Sequence, residues 1–288
     1  MTRSLERLAR RETESATDRG GRLTEITAIL SDGPVSIDVP RIAQLVDPKR
    51  VKPFDGGKLA IPYAEPEWDD FKPPHSNKFG SSLPSYKKAH QMSVLKYRLA
   101  LTDWRKRERA RIEEYNVART AYEQGIERRI DTHNKRAFRV IHGVRNGDPE
   151  AVVVYSNAAL AESTFPEWLR VGRTLSYRPS ARELTMTVEL PPREVLPGGT
   201  FDERAEMYEA LLVLLTLRCL RDGFLAGPPR IVNSVRIVGV VGNRRLVAVR
   251  AERAAFGDLN LESIDPTYAL TQLGAQLSPD PYGLVPIG

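Results

Sequence analysis

The rhythm of apolar and polar positions changes twice along this chain. Between residues 85 and 145, apolar side chains recur at steps of three and four. They are Met92, Leu95 and Leu99, then Ile112, Tyr115, Ala118, Tyr122, Ile126, Ile130, Ala137 and Ile141. That spacing traces a narrow stripe on one helix face. No proline interrupts the interval, and its only glycines are Gly125 and Gly143. An unbroken helix of this length would extend about 90 Å. Asp103–Arg107, Arg109–Glu113 and Asp131–Lys135 place opposite charges four apart, which supports an exposed helix. A stripe this narrow cannot form a core alone. It calls for a second helix, such as residues 1–30, or for another copy of the chain in a coiled-coil-like homo-oligomer.

Ahead of this arm, residues 1–84 read as an N-terminal helix and a proline-rich irregular segment. Leu5, Leu8, Ala9, Leu23, Ile26, Ile29 and Leu30 keep helical spacing across a break at Gly20-Gly21. Nine prolines from Pro34 to Pro84 forbid long helices and central strands. One short helix is predicted at Arg41 to Val46. Tyr63-Ala-Glu-Pro-Glu-Trp-Asp-Asp-Phe71 is acidic and aromatic, too rich in large side chains for a plain linker. It is expected to pack along another element or to order on a partner.

Residues 146–288 read as an α+β domain. Gly147 stops one helix, Asp148 caps the next, and Pro149 and Glu150 suit its first turn. Leu184, Met186, Val188 and Leu190 alternate with Glu183, Thr185, Thr187 and Glu189, predicting a strand with one buried face. Its hairpin partner is Arg173 to Tyr177, through Arg178-Pro-Ser180. Asp202 is expected to cap a helix that ends at Asp222, with Gly223 as its stop. Ile231 to Val241 and Leu246 to Ala251 form a second hairpin through Gly242-Asn243. Asp265-Pro266 opens a last helix with Leu270, Leu273 and Leu277 inward. The predicted order is α-β-β-α-β-β-α. Hairpins without βαβ alternation exclude a doubly wound nucleotide fold.

Charge changes this picture. Over all 288 residues the net charge is only +6, with a pI of about 9.4. Residues 85–145 hold 16 Lys and Arg against 7 Asp and Glu, a local +9, so the rest of the chain is slightly acidic. The densest cluster is Trp104-Arg-Lys-Arg-Glu-Arg-Ala-Arg111. Cations on a helix can track phosphates and gain affinity by counterion release without reading bases. Arg105, Lys106, Arg107, Arg109 and Arg111 are therefore the candidate nucleic-acid contacts. Arg105 shares a face with Arg109, and Arg107 with Arg111, while Lys106 points about 100° from its neighbours. The bland alternative is a solvated coiled-coil exterior.

Catalytic chemistry has thin support. Cys219 is the only cysteine, in an apolar stretch, which excludes an intrachain disulfide and a multi-cysteine zinc site and fits a reducing cytoplasm. His75, His90, His133 and His142 lack metal-ligand spacing, so neither a metal nor a cofactor is expected. The apolar run Ala210 to Leu215 is too short to span a bilayer. Gly56-Gly57 and Gly198-Gly199 lie in no phosphate loop. A restriction-type nuclease needs an Asp and a later acid-x-Lys on adjoining strands. Asp47-Pro48-Lys49 (with Asp38 upstream) and Asp70-Phe71-Lys72 match only the short pattern, beside prolines that disfavour central strands.

Several stretches carry a family resemblance. His133-Asn134, Asn146-Gly-Asp-Pro-Glu-Ala-Val152, Tyr155, Ser163-Thr-Phe-Pro166, Leu175-Ser-Tyr177, Val188-Glu-Leu-Pro191, Leu217-Arg-Cys-Leu220 and Ile264-Asp-Pro266, with Leu273 and Ser278, resemble the non-catalytic part of actinobacterial Mrr-like restriction system proteins. The likeness covers about residues 85–288. It implies a helical, coiled-coil-like arm and an α+β segment, followed in those proteins by a restriction-endonuclease-like domain. No counterpart of that domain is legible here, so the cutting activity does not carry over. The chain is then expected to be a shortened form, or to work with a separate nuclease subunit. Separately, Arg128 and His133 match an Arg-x4-His pattern resembling the RNase motif of HEPN-type helical proteins, in which Arg would hold phosphate and His move a proton.

Three functional expectations result. The first is a cytoplasmic, non-catalytic module of a restriction-type anti-phage defence system that binds DNA backbone through its arm. The second is a protein-interaction scaffold with no nucleic-acid binding, using Met92, Leu95, Leu99, Ile112, Tyr115, Tyr122 and Ile126 and the Tyr63–Phe71 segment. The third is a helical RNase using Arg128 and His133.

Overall fold

The computed structural model describes residues 21–73, 84–261 and 263–288. Leu5, Leu8, Ala9, Gly20, Pro74 and His75 lie outside these residues. Two compact units divide the chain differently from its composition. One is residues 46–133; the other combines the chain up to residue 45 with residues 134–288. The proline-rich segment and the long helix are each shared between these two units.

In the larger unit, residues 21–28 are helical (α1). Ile26, Ile29 and Leu30 enter the main core, so this stretch belongs to the α+β domain. The short helix expected at Arg41 to Val46 is a single 3-10 turn, Arg41–Ala43. The long helix α2 spans Pro84–Arg145, and its last turns bury Ala137 and Val144. Gly147, at φ 68°, ends it in a conformation that favours glycine. The Asp148 side chain accepts from Ala151 N at 2.8 Å and starts α3, Pro149–Leu160, with the predicted cap chemistry.

Five strands follow: β1 Gly172–Arg178, β2 Glu183–Glu189, β3 Ser234–Val241, β4 Arg244–Glu252 and β5 Gln276–Leu277. They form one sheet in the order β1-β2-β3-β4-β5. β1 and β2 pair antiparallel, as do β3 with β4 and β4 with β5, but β2 and β3 are parallel. The helix α4, Phe201–Ala226, joins β2 to β3. The α+β class therefore holds, but the sheet contains one βαβ crossover that the hairpin pattern concealed. The predicted order also lacked α5, Arg253–Gly257, and β5, which lies beyond α6, Pro266–Gln272. Leu277 belongs to β5 and Leu273 ends α6, so only Leu270 of the three expected inward leucines lies within the helix.

Two end signals on α4 need correction. Its N-cap is Thr200, not Asp202: the Thr200 hydroxyl accepts from Glu203 N at 3.3 Å, and Glu203 accepts from Thr200 N at 2.9 Å. This reciprocal capping box satisfies two end donors, which one aspartate could not. Gly223 is interior to the helix. A Cβ there would meet Val235 at 2.9 Å and Met186 at 3.6 Å, so this glycine lets α4 approach the sheet. Leu184, Met186, Val188, Val235, Ile237, Val247 and Val249 line the same core.

A buried polar cluster ties the parts together. Arg218 Nε donates to Asp222 at 3.0 and 3.1 Å, one helical turn along α4. Arg218 Nη1 reaches Ile29 O at 2.9 Å, and Nη2 reaches Ser163 Oγ at 3.0 Å. Ser163 Oγ in turn donates to Asp222 at 2.5 Å, and Arg173 bonds the carbonyls of Leu160 and Ser163. A side chain on Gly33 would collide with both Arg218 and Arg221, so a bare backbone is required there. Next to this cluster, burial pushes the Cys219 thiol up to about 12.

Arg218→Ala leaves Asp222 buried without its main counter-charge and is expected to cost about 3–5 kcal/mol in urea unfolding. Cys219 should resist a thiol reagent at pH 8 in the native state and react once the chain is unfolded. Its native pKa is raised, so the neutral thiol is the favoured form. That stabilising contribution is complete below the unfolded thiol's pKa, about 8.5, and declines as pH rises toward about 12. Denaturant midpoints measured across that range check the sign.

Candidate nucleic-acid interface

In the smaller unit, residues 46–73 lie against α2 and run antiparallel to it. The contact order shows this: Tyr122 Oη donates to Lys52 O at 2.9 Å, Arg111 to Leu59 O, and Trp104 Nε1 to Tyr63 O at 3.0 Å. Aromatic rings fill the spaces between these bonds. Phe54 packs edge-on against Tyr115 at 5.4 Å, and Trp68 and Phe71 flank Tyr97 at 5.5 and 5.6 Å. Of the two behaviours expected for Tyr63–Phe71, packing along another element is the one seen. Gly56 sits at φ 70°, where a Cβ would come within 2.5 Å of the Tyr115 ring. The left-handed backbone and the close approach both require glycine there.

This strap separates residues that the sequence grouped in one stripe. Tyr97, Trp104, Glu108, Arg111, Tyr115 and Tyr122 form the covered face. Met92, Leu95 and Leu99 remain 49%, 50% and 62% exposed. At about 100° per residue they lie on the far side of α2 from Tyr115 and Tyr122. The predicted seam is therefore two faces, one of them occupied by the chain itself.

The five candidate cations divide as well. Arg111 bonds Glu108 at 2.5 and 3.0 Å in addition to Leu59 O, and its side chain is 11% exposed. Glu108 also accepts from Tyr63 N at 3.1 Å. The hydrogen bond from Arg111 holds the Glu108 carboxyl below its ordinary value, and the same contact raises that of Arg111. Arg111 is thus a strap anchor. Arg107 pairs with Asp103 at 3.1 Å and lies 5.8 Å from the Tyr63 ring centre. Arg105, Lys106 and Arg109 are exposed and carry no ion pair among the described residues. The expected Arg109–Glu113 pair does not form, while Arg119–Glu123 does, at 2.8 Å. Arg98 is exposed and equally free, seven residues before Arg105. Seven- and four-residue steps put Arg98, Arg105 and Arg109 within about 40° on one face, while Lys106 turns about 60–100° away, in line with Leu95 and Leu99. Sequence reasoning missed Arg98 because it stands outside the dense cluster.

The other candidates are not brought together. Asp47 accepts from Lys49 N at 2.9 Å as the cap of a 3-10 turn, and Lys72 pairs with Asp69 at 2.6 Å. Neither acid-x-Lys match lies on a strand. Arg128 and His133 stand on continuous helix, where five residues separate them by about 140°. His142 Nδ1 contacts the Asn146 amide at 3.1 Å. Among the described residues, no group of three or more His, Cys, Asp or Glu could hold a metal ion. No described helix is long and apolar enough to cross a membrane. Comparison with protein-family models, curated proteins and solved structures finds no match.

Gly56→Ala should loosen the strap, with about 1–2 kcal/mol from the left-handed backbone alone. The expected readout is faster limited proteolysis within residues 46–73. Acid should act in the same direction. Because the Glu108 pKa is lowered, its contribution is present above the ordinary glutamate range and lost as pH falls through the lowered value.

Proposed function

We propose that the chain is a non-catalytic module that binds nucleic-acid backbone, duplex DNA in the first instance, through the outer face of α2. The observation that carries this reading is the division of labour among the arginines. Arg107 and Arg111 are engaged by the chain, whereas Arg98, Arg105, Lys106 and Arg109 are exposed and unpaired. A row of unneutralised guanidiniums binds phosphate through charge and forked donors, with no requirement for base contact. The resemblance to Mrr-like restriction proteins supports placing this module in an anti-phage defence system in the cytoplasm, where a nuclease subunit would supply the cutting step.

A second reading rests on Met92, Leu95 and Leu99. Their exposure along one face favours self-association of the arm into a homo-oligomer. Arg98, Arg105 and Arg109 stand on a different face from Leu95 and Leu99, so the two readings are compatible; Lys106 lies in line with the leucines.

Arg105→Gln/Lys106→Gln/Arg109→Gln should flatten the dependence of log K on log salt for labelled duplex DNA by about 3. Arg111→Gln should leave that slope unchanged while exposing the strap to protease. An unaltered slope in the triple variant would remove the arm from the interface. Leu95→Glu/Leu99→Glu should lower the sedimenting mass if the apolar face joins two copies; equal masses would exclude it.

A further inference from the structure

The sheet has one face packed on helices and one that remains partly open. Thr174, Ser176, Thr185, Thr187, Arg236 and Arg250 sit on the open face, and each is half-exposed or exposed. Among them lies an unusual charge arrangement. Glu183, at the start of β2, is only 2% exposed, yet three guanidiniums from three other strands close on its carboxylate. Arg178 of β1 donates to Oε1 at 2.8 Å, Arg236 of β3 lies 3.4 Å from Oε1, and Arg250 of β4 donates to Oε2 at 2.6 Å. Arg250 also pairs with Glu252 at 2.7 Å and bonds Ser234 Oγ at 3.3 Å. Three positive charges thus meet two negative ones. The arginine side chains remain 59%, 45% and 43% exposed.

One carboxylate cannot saturate three guanidiniums, which bring fifteen N–H donors between them. It orients them and leaves donors and a surplus positive charge facing solvent. We propose that Arg178, Arg236 and Arg250, aligned by Glu183, bind backbone phosphates of a nucleic acid on the open sheet face. Charge and shape favour that occupant. The face is positive at this point and lined with hydroxyls from Thr185 and Ser176, the donor types that contact phosphate oxygens. It is a surface of paired strands rather than an enclosed cavity, which suits an extended polyanion better than a small anion needing enclosure on several sides. The site shares its ligand class with the α2 face but none of its residues, and stands or falls separately.

The test is duplex-DNA binding by the full chain, followed by fluorescence anisotropy across a salt series. Arg178→Gln/Arg236→Gln is the first variant, because Arg250 stays to hold Glu183 at 2.6 Å. The expected result is a native melting profile with the salt slope flattened by about 2. Should this variant fail to fold, Arg178→Gln alone, at the most exposed of the three, should flatten the slope by about 1. The α2 triple variant runs in parallel. A slope changed only by the α2 variant overturns the sheet site and keeps the arm; a slope changed only by the sheet variants does the reverse. A lowered melting temperature with an unchanged slope would show that the arginines merely pin the strands. Binding of inorganic phosphate with no effect of the sheet variants on DNA would likewise overturn the proposal.

Discussion

A guanidinium leaves water at low cost where its N–H groups meet acceptors, and Arg218 imposes that condition on much of the larger unit. Its acceptors come from the next turn of its own helix (Asp222), the loop after α3 (Ser163 and Thr164), and the N-terminal stretch (the Ile29 carbonyl). These segments must be in place together, or a charge is buried without compensation. The surrounding leucines of α4 supply the apolar burial, which is tolerant of small shifts. The polar cluster is not tolerant, because hydrogen-bond geometry falls away within a few tenths of an ångström. It fixes which of many apolar packings is adopted. Gly33 shows the same constraint from the opposite side, since no side chain fits beside Arg218 and Arg221.

Much of the fold was legible because local chemistry and tertiary structure agree. The α3 start at Asp148-Pro149 and the alternation of Leu184, Met186 and Val188 are local signals, and the structure follows them. The misreadings came where two meanings compete for one residue. Gly223 reads as a helix stop, but its lack of a side chain serves packing on Val235. Asp202 reads as a cap until the Thr200–Glu203 pair is set beside it. The parallel pairing of β2 with β3 leaves no local mark, because a long helix between two hairpins permits either sense. The apolar stripe on α2 was drawn too broadly because a three- or four-residue step can be followed across a helix as well as along it. The helical step already sets Leu95 and Leu99 apart from Tyr115 and Tyr122; the position of the strap decides which of the two faces is covered.

The candidate sites were less legible than the fold for a single reason. A sequence counts charges but does not show which are already neutralised. Arg105 and Arg111 are indistinguishable in a basic run, yet one is free and the other joins Glu108 and Leu59 O. Glu183 alternates with threonines as though solvated, but contacts from strands up to 67 residues away bury it beneath three arginines. Arginine serves three roles here: internal tie, strap anchor and unoccupied cation. The buried tie and the strap anchor have their charge matched within the chain; the unoccupied cations, and the half-exposed arginines around Glu183, are the ones left with charge facing solvent.

The bond from Arg218 to the Ile29 carbonyl spans 189 residues. During synthesis the stretch around Ile29 emerges before α4, and its acceptor role must wait until α4 has been made. Closing so long a loop is also among the slower events open to a folding chain. Topology thereby sets one order of events: the stretch around Ile29 can be secured by Arg218 only after α4 has been made.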